Sequence, residues 1–98
     1  MDLWESGSSL GMVEVLGMAD ALAVVDVVVK AAAVHVHGLR RIGDGIVTVS
    51  FTGDVSSVQA GVDAARKMCA ERGMTVSSTV IGRPAVPGWL SAREADDT

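Results

Sequence analysis

The spacing of apolar positions changes period several times along the chain, and each change marks an element. Residues 1–10 are rich in Ser and Gly and read as an arm ahead of the folded part. Met12–Met18, "MVEVLGM", is a short β-leaning run. From Met18 onward Met18, Leu22, Val25, Val29 and Ala32 recur in steps of four and three, the stripe of one helix face. Valine propagates helices poorly, so this helix is expected to depend on tertiary packing. Asp26 and Lys30, four apart with the acid first, have the favourable orientation for a helical ion pair.

"VHVHGL" (Val34–Leu39) alternates and predicts a strand with Val34 and Val36 on one face and His35 and His37 on the other. "IVTVSF" (Ile46–Phe51) alternates again. Between the two runs stands Gly43-Asp44-Gly45, and strands flanking an Asp-Gly pair are a strong hairpin signal. Gly53-Asp54 then opens a second helix, with Asp54 as its N-cap. Val55, Val58, Val62, Ala65 and Cys69 repeat the three–four spacing, and Asp63 and Lys67, four apart, are expected to pair. Arg66, Lys67 and Arg72 gather toward the C-terminal end, where the helix dipole favours cations. Gly73 is placed to end the helix in the left-handed conformation. "MTVSSTVI" (Met74–Ile81) reads as the last strand, broken by Gly82-Arg83-Pro84. Pro87-Gly88-Trp89 begins a tail expected to carry a short helix before an acidic end.

The resulting order, β-α-β-β-α-β, predicts an α/β (α+β) domain of the ferredoxin-like, split βαβ type. Such a domain has a four-stranded antiparallel sheet with two main helices on one face, here with a short C-terminal tail segment added. The other sheet face then needs cover from a neighbouring chain or from the tail. The expected organisation is an N-terminal arm over 1–10, the domain over 11–84 and a tail over 85–98, with no internal repeat.

Composition adds self-association to this picture. A domain of 98 residues buries only somewhat more than about 60% of its unfolded surface. Yet 49% of the residues are hydrophobic and the mean hydropathy is +0.40, mostly from Ala and Val, with one Phe and no Tyr. An apolar surplus that the core does not absorb lies on the surface, where contiguous patches mark interfaces. The net charge of −4 argues against a nucleic-acid partner, which needs a basic surface. A single cysteine, Cys69, excludes an internal disulfide and a thiolate metal cluster and fits a reducing compartment. "MDLWESGSS" lacks the basic-then-apolar layout of a signal peptide. The longest apolar stretch, Met18–Val36, contains Asp20, Asp26, Lys30 and His35. Each central Asp or Lys would cost roughly 2.5–3.5 kcal/mol in a bilayer, so no membrane span and no membrane partner are expected. The expectation is a soluble cytoplasmic protein.

Each chemistry-bearing residue has a plainer reading beside the functional one. Gly43-Asp44-Gly45 is a poor phosphate loop, because its glycines join two strands instead of opening a helix and its tip is anionic; a plain turn, with Asp44 bonded to its own backbone, is favoured. His35 and His37 have the spacing of a metal chelate on one strand face, but no third ligand is evident, and solvated or interface histidines are favoured. Cys69 falls on the apolar face of the second helix and reads as a buried, inert thiol. Glu14, in the middle of an apolar strand, reads as paired or solvated. Trp4 and Trp89 lie in the terminal segments and read as anchors onto the chain or a neighbour. Lys30 and Arg83 taken alone are surface charges. No nucleophile–base pair, paired carboxylates or metal set is visible, so no catalytic residue, no metal site and no cofactor is assigned.

In combination these features are far more specific. The opening strand with Glu14 and Gly17, the "VKAA" stretch at Lys30, the "IGDG" hairpin, the "TGDV" turn at Gly53-Asp54 and the "RP" at Arg83-Pro84 strongly resemble the bacterial microcompartment shell domain of the single-domain hexamer type, BMC-H. The resemblance covers about Gly11 to Pro84. It implies six copies in a flat hexagonal disc, and discs that tile edge to edge, with other shell proteins, around encapsulated enzymes. Lys30 would lie at the disc edge, antiparallel to its mate on the next hexamer. Arg83, followed by Pro84, would lie at the same edge and reach backbone groups across it. Gly43, Asp44 and Gly45, with Arg41 near by, would line a pore on the six-fold axis.

The chain departs from the family pattern at Asp44, where Ser or Gly is usual, at Gly82, where Pro is frequent, in "AVPGW" after Arg83-Pro84, and in its longer N-terminal arm. Six Asp44 carboxylates about 6 Å apart at an effective dielectric near 40 would repel by roughly 1–1.5 kcal/mol per neighbouring pair. A ring of this kind favours cationic or neutral polar solutes over anions. Two other classes share the fold: a ferredoxin-like oligomeric regulator that binds an effector between subunits, and a small enzyme, for which no catalytic set is visible. Hexamers that tile into sheets in electron micrographs separate the shell reading from both.

Overall fold

Small apolar residues alternating with polar ones build a sheet, and two helices with small-residue stripes cover one side of it. The computed structural model of the chain describes residues 8–81. The elements are β1 (Ser9–Leu16), α1 (Met18–Ala31), β2 (His35–Gly43), β3 (Ile46–Gly53), α2 (Val55–Arg72) and β4 (Val76–Ile81). The sheet order is β2-β3-β1-β4, with every neighbouring pair antiparallel. This is the ferredoxin-like arrangement expected from the order of elements.

Val13 and Val15 of β1 and Val47, Val49 and Phe51 of β3 form the sheet side of the core. Ala21, Val24 and Val28 of α1 and Val58, Val62, Ala65 and Cys69 of α2 close it. Phe51, the one phenylalanine, is the largest fully buried side chain. It finds room over two glycines. A Cβ on Gly11, its cross-strand partner on β1, would sit 2.7 Å from Phe51 Cε2. One on Gly61 of α2 would sit 3.1 Å from the same atom.

The structure corrects the phase of α1. Leu22 and Val29, expected on its packed face, are 55% and 48% exposed, and the buried stripe is Ala21, Val24 and Val28. The segment from Ala21 to Val29 is apolar at every position but Asp26, so periodicity cannot choose which stripe faces in. Ala32 is not on the helix at all but caps it in an extended conformation. In α2 the expected stripe packs as anticipated except for Val55, which is exposed in the first turn.

The helix ends follow local rules. Asp54 Oδ1 accepts the Ser57 amide at 2.7 Å and the Ser56 hydroxyl at 2.8 Å, the expected N-cap. Those bonds hold its carboxyl below the usual carboxylate range. Gly73, at φ 67, ends α2, and the Met74 amide donates to the Cys69 carbonyl at 2.8 Å, a Schellman closure. Asp63 takes Gln59 Nε2 at 3.0 Å, and no Asp63–Lys67 pair forms.

Strand ends differ from expectation because pairing, not hydrophobicity, sets them. β1 begins at Ser9, which pairs with Gly53, while Leu10 pairs with Thr52 and Ile81. Two residues expected in the arm are therefore ladder. β2 starts at His35 and runs on to Gly43, and β4 starts only at Val76.

Candidate functional site

The β2–β3 hairpin closes through the pair Gly43↔Ile46, leaving Asp44 and Gly45 as a two-residue turn. Both have positive φ, 53° at Asp44 and 80° at Gly45. That is the type I′ pattern, whose twist matches the flanking strands. Asp44 is the one non-glycine residue with positive φ among the described residues, and Asp is among the few side chains that tolerate it. The backbone dihedrals make the turn. Among the described residues no hydrogen bond reaches the Asp44 carboxylate, so the self-bonded turn expected from sequence is not what holds it. The carboxylate projects exposed from the tip.

The ladder shifts register between Arg41 and Gly43, so Ile42 is an extra residue and stands 49% exposed beside the tip. Arg40 and Arg41, opposite Thr48 and Val47, are both exposed. The turn of the hairpin is fixed by a bond that the sequence did not announce: the Gly17 amide, at the mouth of α1, donates to the Gly45 carbonyl at 2.7 Å. Gly17 has φ 89 and no side-chain cap follows it, so the first turn of α1 and the turn of the hairpin hold each other. An open recess of about 350 Å³ lies here, lined by Gly17, Met18, Arg41, Gly43 and Gly45 among others.

Lys30 lies in the last turn of α1, with Nζ donating to Asp26 Oδ2 at 2.9 Å, and both side chains are well exposed. This is the ion pair read from the spacing. The expected edge residues Arg83 and Pro84, and the anchors Trp4 and Trp89, lie outside the described residues.

The remaining candidates fall on the sheet and in the core. On the sheet face away from the helices, Arg40, Thr48, Glu14 and Ser77 share one cross-strand row. Glu14 accepts the Thr48 hydroxyl at 3.3 Å and is half-buried. His37 Nε2 and Thr52 Oγ1 are 2.7 Å apart, and the rings of His35 and His37 meet edge-on with centres 4.8 Å apart. Desolvation, then the His35 charge, lowers the His37 pKa from its ordinary value. Cys69 is fully buried, and desolvation raises its thiol pKa, with Asp20 adding to the rise and Arg72 opposing it. No group of three or more His, Cys, Asp or Glu gathers as a metal set among the described residues. No described helix is long and apolar enough to cross a membrane.

Together these features define an antiparallel split-βαβ module with both helices on one sheet face and an acid-tipped hairpin tied to the first helix. The chain belongs to the BMC domain family, whose model matches residues 9–84. It is 41% identical over 76 residues to the bacterial microcompartment shell protein PduA of Citrobacter freundii, covering 78% of this chain and 82% of the relative. It is likewise 41% identical over 80 residues to the carboxysome shell protein CcmK2 of Synechococcus elongatus, covering 78% and 76%. To the shell protein EutM of Escherichia coli it is 38% identical over 76 residues, covering 78% of each. Among solved structures, the crystal structure of a microcompartment protein from Desulfitobacterium hafniense DCB matches with a TM-score of 0.69 and 28% identity. That match covers 79% of this chain but 42% of the other, so the chain spans less than half of that protein's length.

Proposed function

We propose that the chain is a structural, non-enzymatic subunit of a bacterial microcompartment shell in the cytoplasm, built as a cyclic hexamer that tiles edge to edge. The BMC domain match over 9–84, with shell proteins as its relatives, carries this reading. In the hexamer Gly43, Asp44 and Gly45, with Arg41 beside them, surround the six-fold axis. Lys30, Arg83 and Pro84 lie at the disc edge, against neighbouring discs and other shell proteins, with enzymes enclosed behind. The domain spans 9–84, beginning with β1, and the arm and the tail flank it.

The hairpin geometry supports the pore assignment. A two-residue turn at the end of a ladder is the narrowest way to bring six loops to one axis, and its acid has no described internal partner. Six carboxylates around an opening admit small cationic or neutral polar metabolites and disfavour phosphates and carboxylates. Six copies at −4 each carry −24, so discs tile against repulsion, and Lys30 and Arg83 offset it where edges meet.

Electron microscopy after light scattering tests the assembly. Hexamers forming sheets or tubes support it, and a discrete dimer or trimer with an effector-dependent melting shift overturns it in favour of the regulator. Lys30→Ala should leave hexamers intact and abolish sheets; normal sheets from that variant would remove Lys30 from the edge. Asp44→Asn is the clean pore test, because Asn also tolerates positive φ while losing the charge. Conductance through bilayer-inserted hexamers should lose its cation preference, and equal preference in both proteins would refute the filter.

A further inference from the structure

His35 and His37 have a geometry that the shell reading does not use. They lie on β2, an edge strand of the sheet, and both are exposed. The ladder passes from Val36↔Phe51 to Gly38↔Ser50, so His37 is the extra residue of a bulge. Bulges re-aim side chains, and this one leaves the His37 ring against Thr52 and 4.8 Å, centre to centre, from that of His35.

Two imidazoles bound to one ion have metal–nitrogen distances of about 2.0–2.1 Å, which puts each ring centre about 3.2 Å from the metal. At ligand angles of about 90–109°, square-planar to tetrahedral, the two ring centres are then about 4.5–5.2 Å apart. The observed 4.8 Å falls inside that window. A partner for the outer nitrogen is also in place. With the metal on His37 Nδ1, Nε2–H donates to Thr52 Oγ1, 2.7 Å away, the second contact that fixes the tautomer and orientation of a metal-binding histidine. Thr52 is itself buried, so its hydroxyl is held.

We propose that His35 and His37 form a two-histidine chelate for a divalent transition metal that favours imidazole, such as Zn²⁺, Ni²⁺ or Cu²⁺, with Thr52 orienting His37. Two protein ligands leave the other coordination positions open to water or a small donor. Both protein ligands come from one chain.

The test is calorimetric titration of the full-length, untagged, chelator-stripped protein with ZnCl₂ and with CuCl₂, at fixed pH. The expected result is one ion per chain, with saturable binding lost in the His35→Gln/His37→Gln variant. Thr52→Val should weaken binding tenfold or more, as loss of such an outer partner does elsewhere. His35→Gln alone should also weaken it tenfold or more while leaving the melting temperature of the metal-free protein unchanged, since His35 is exposed. That variant keeps the proposal falsifiable if the His37 or Thr52 changes disturb the bulge. Binding by the double variant as tight as by wild type, or no saturable binding by wild type, overturns the site.

Discussion

Gly11→Ala puts one methyl group where the core has no room for it. The added Cβ would lie 2.7 and 2.9 Å from Cε2 and Cζ of Phe51 and 2.8 Å from Cγ1 of Val58. All three separations are inside van der Waals contact. The ring cannot retreat freely, because Gly61 on α2 lies against its Cε2 edge and the Val28 side chain stands beside Gly61. Overpacking of a tight core costs about 1–3 kcal/mol. At about 4–8 °C per kcal/mol for a domain of this size, the melting temperature should fall by about 4–24 °C. Circular dichroism melts at one protein concentration measure it, since assembly makes the midpoint concentration-dependent. The origin is checked by a double-mutant cycle with Phe51→Leu, which removes the ring edge. Gly11→Ala should be milder in that background, with a coupling of about 1 kcal/mol or more. An unchanged melt for Gly11→Ala, or strict additivity in the cycle, would refute the ring-over-glycine packing.

Three further outcomes follow from the same structure. Gly45→Ala forces a Cβ into the left-handed region at φ 80, at about 1–2 kcal/mol, and should lower the melting midpoint while Asp44→Asn does not. Cys69 should resist a thiol reagent at pH 8 in the native protein and react at once in urea, because it is fully buried with its pKa raised by desolvation; equal rates would contradict the burial. Asp54 has a folded-state pKa below its ordinary value of 3.8, so its ionised form contributes stability above that pH, and the contribution is lost as pH falls through the folded value. Melts of wild type should therefore drop more steeply than those of Asp54→Asn in the acid range below 3.8, and parallel curves would remove the carboxylate from the cap's energetics.

What the chain states locally it states well, and what depends on distant partners it does not. The Asp54 cap, the Gly73 stop and the Asp26–Lys30 pair each join residues within a turn or so of one another, and all three form. The α1 phase does not follow from its own residues, because Leu22 and Val29 are as apolar as Val24 and Val28, and only the sheet beneath decides which pair is covered. The fit of Phe51 over Gly11 joins residues on two strands, and the Gly17–Gly45 bond joins a helix mouth to a hairpin. Neither leaves a periodic trace. Asp44 shows the limit most sharply. Its place in a type I′ turn is legible from Asp-Gly between two alternating runs. Its charge, by contrast, has no partner among the described residues, and nothing in the local sequence says what that charge does. Substituting Asn keeps the backbone and removes only the charge, which is why that change separates the turn, a property of one chain, from the proposed filter, which would be a property of six.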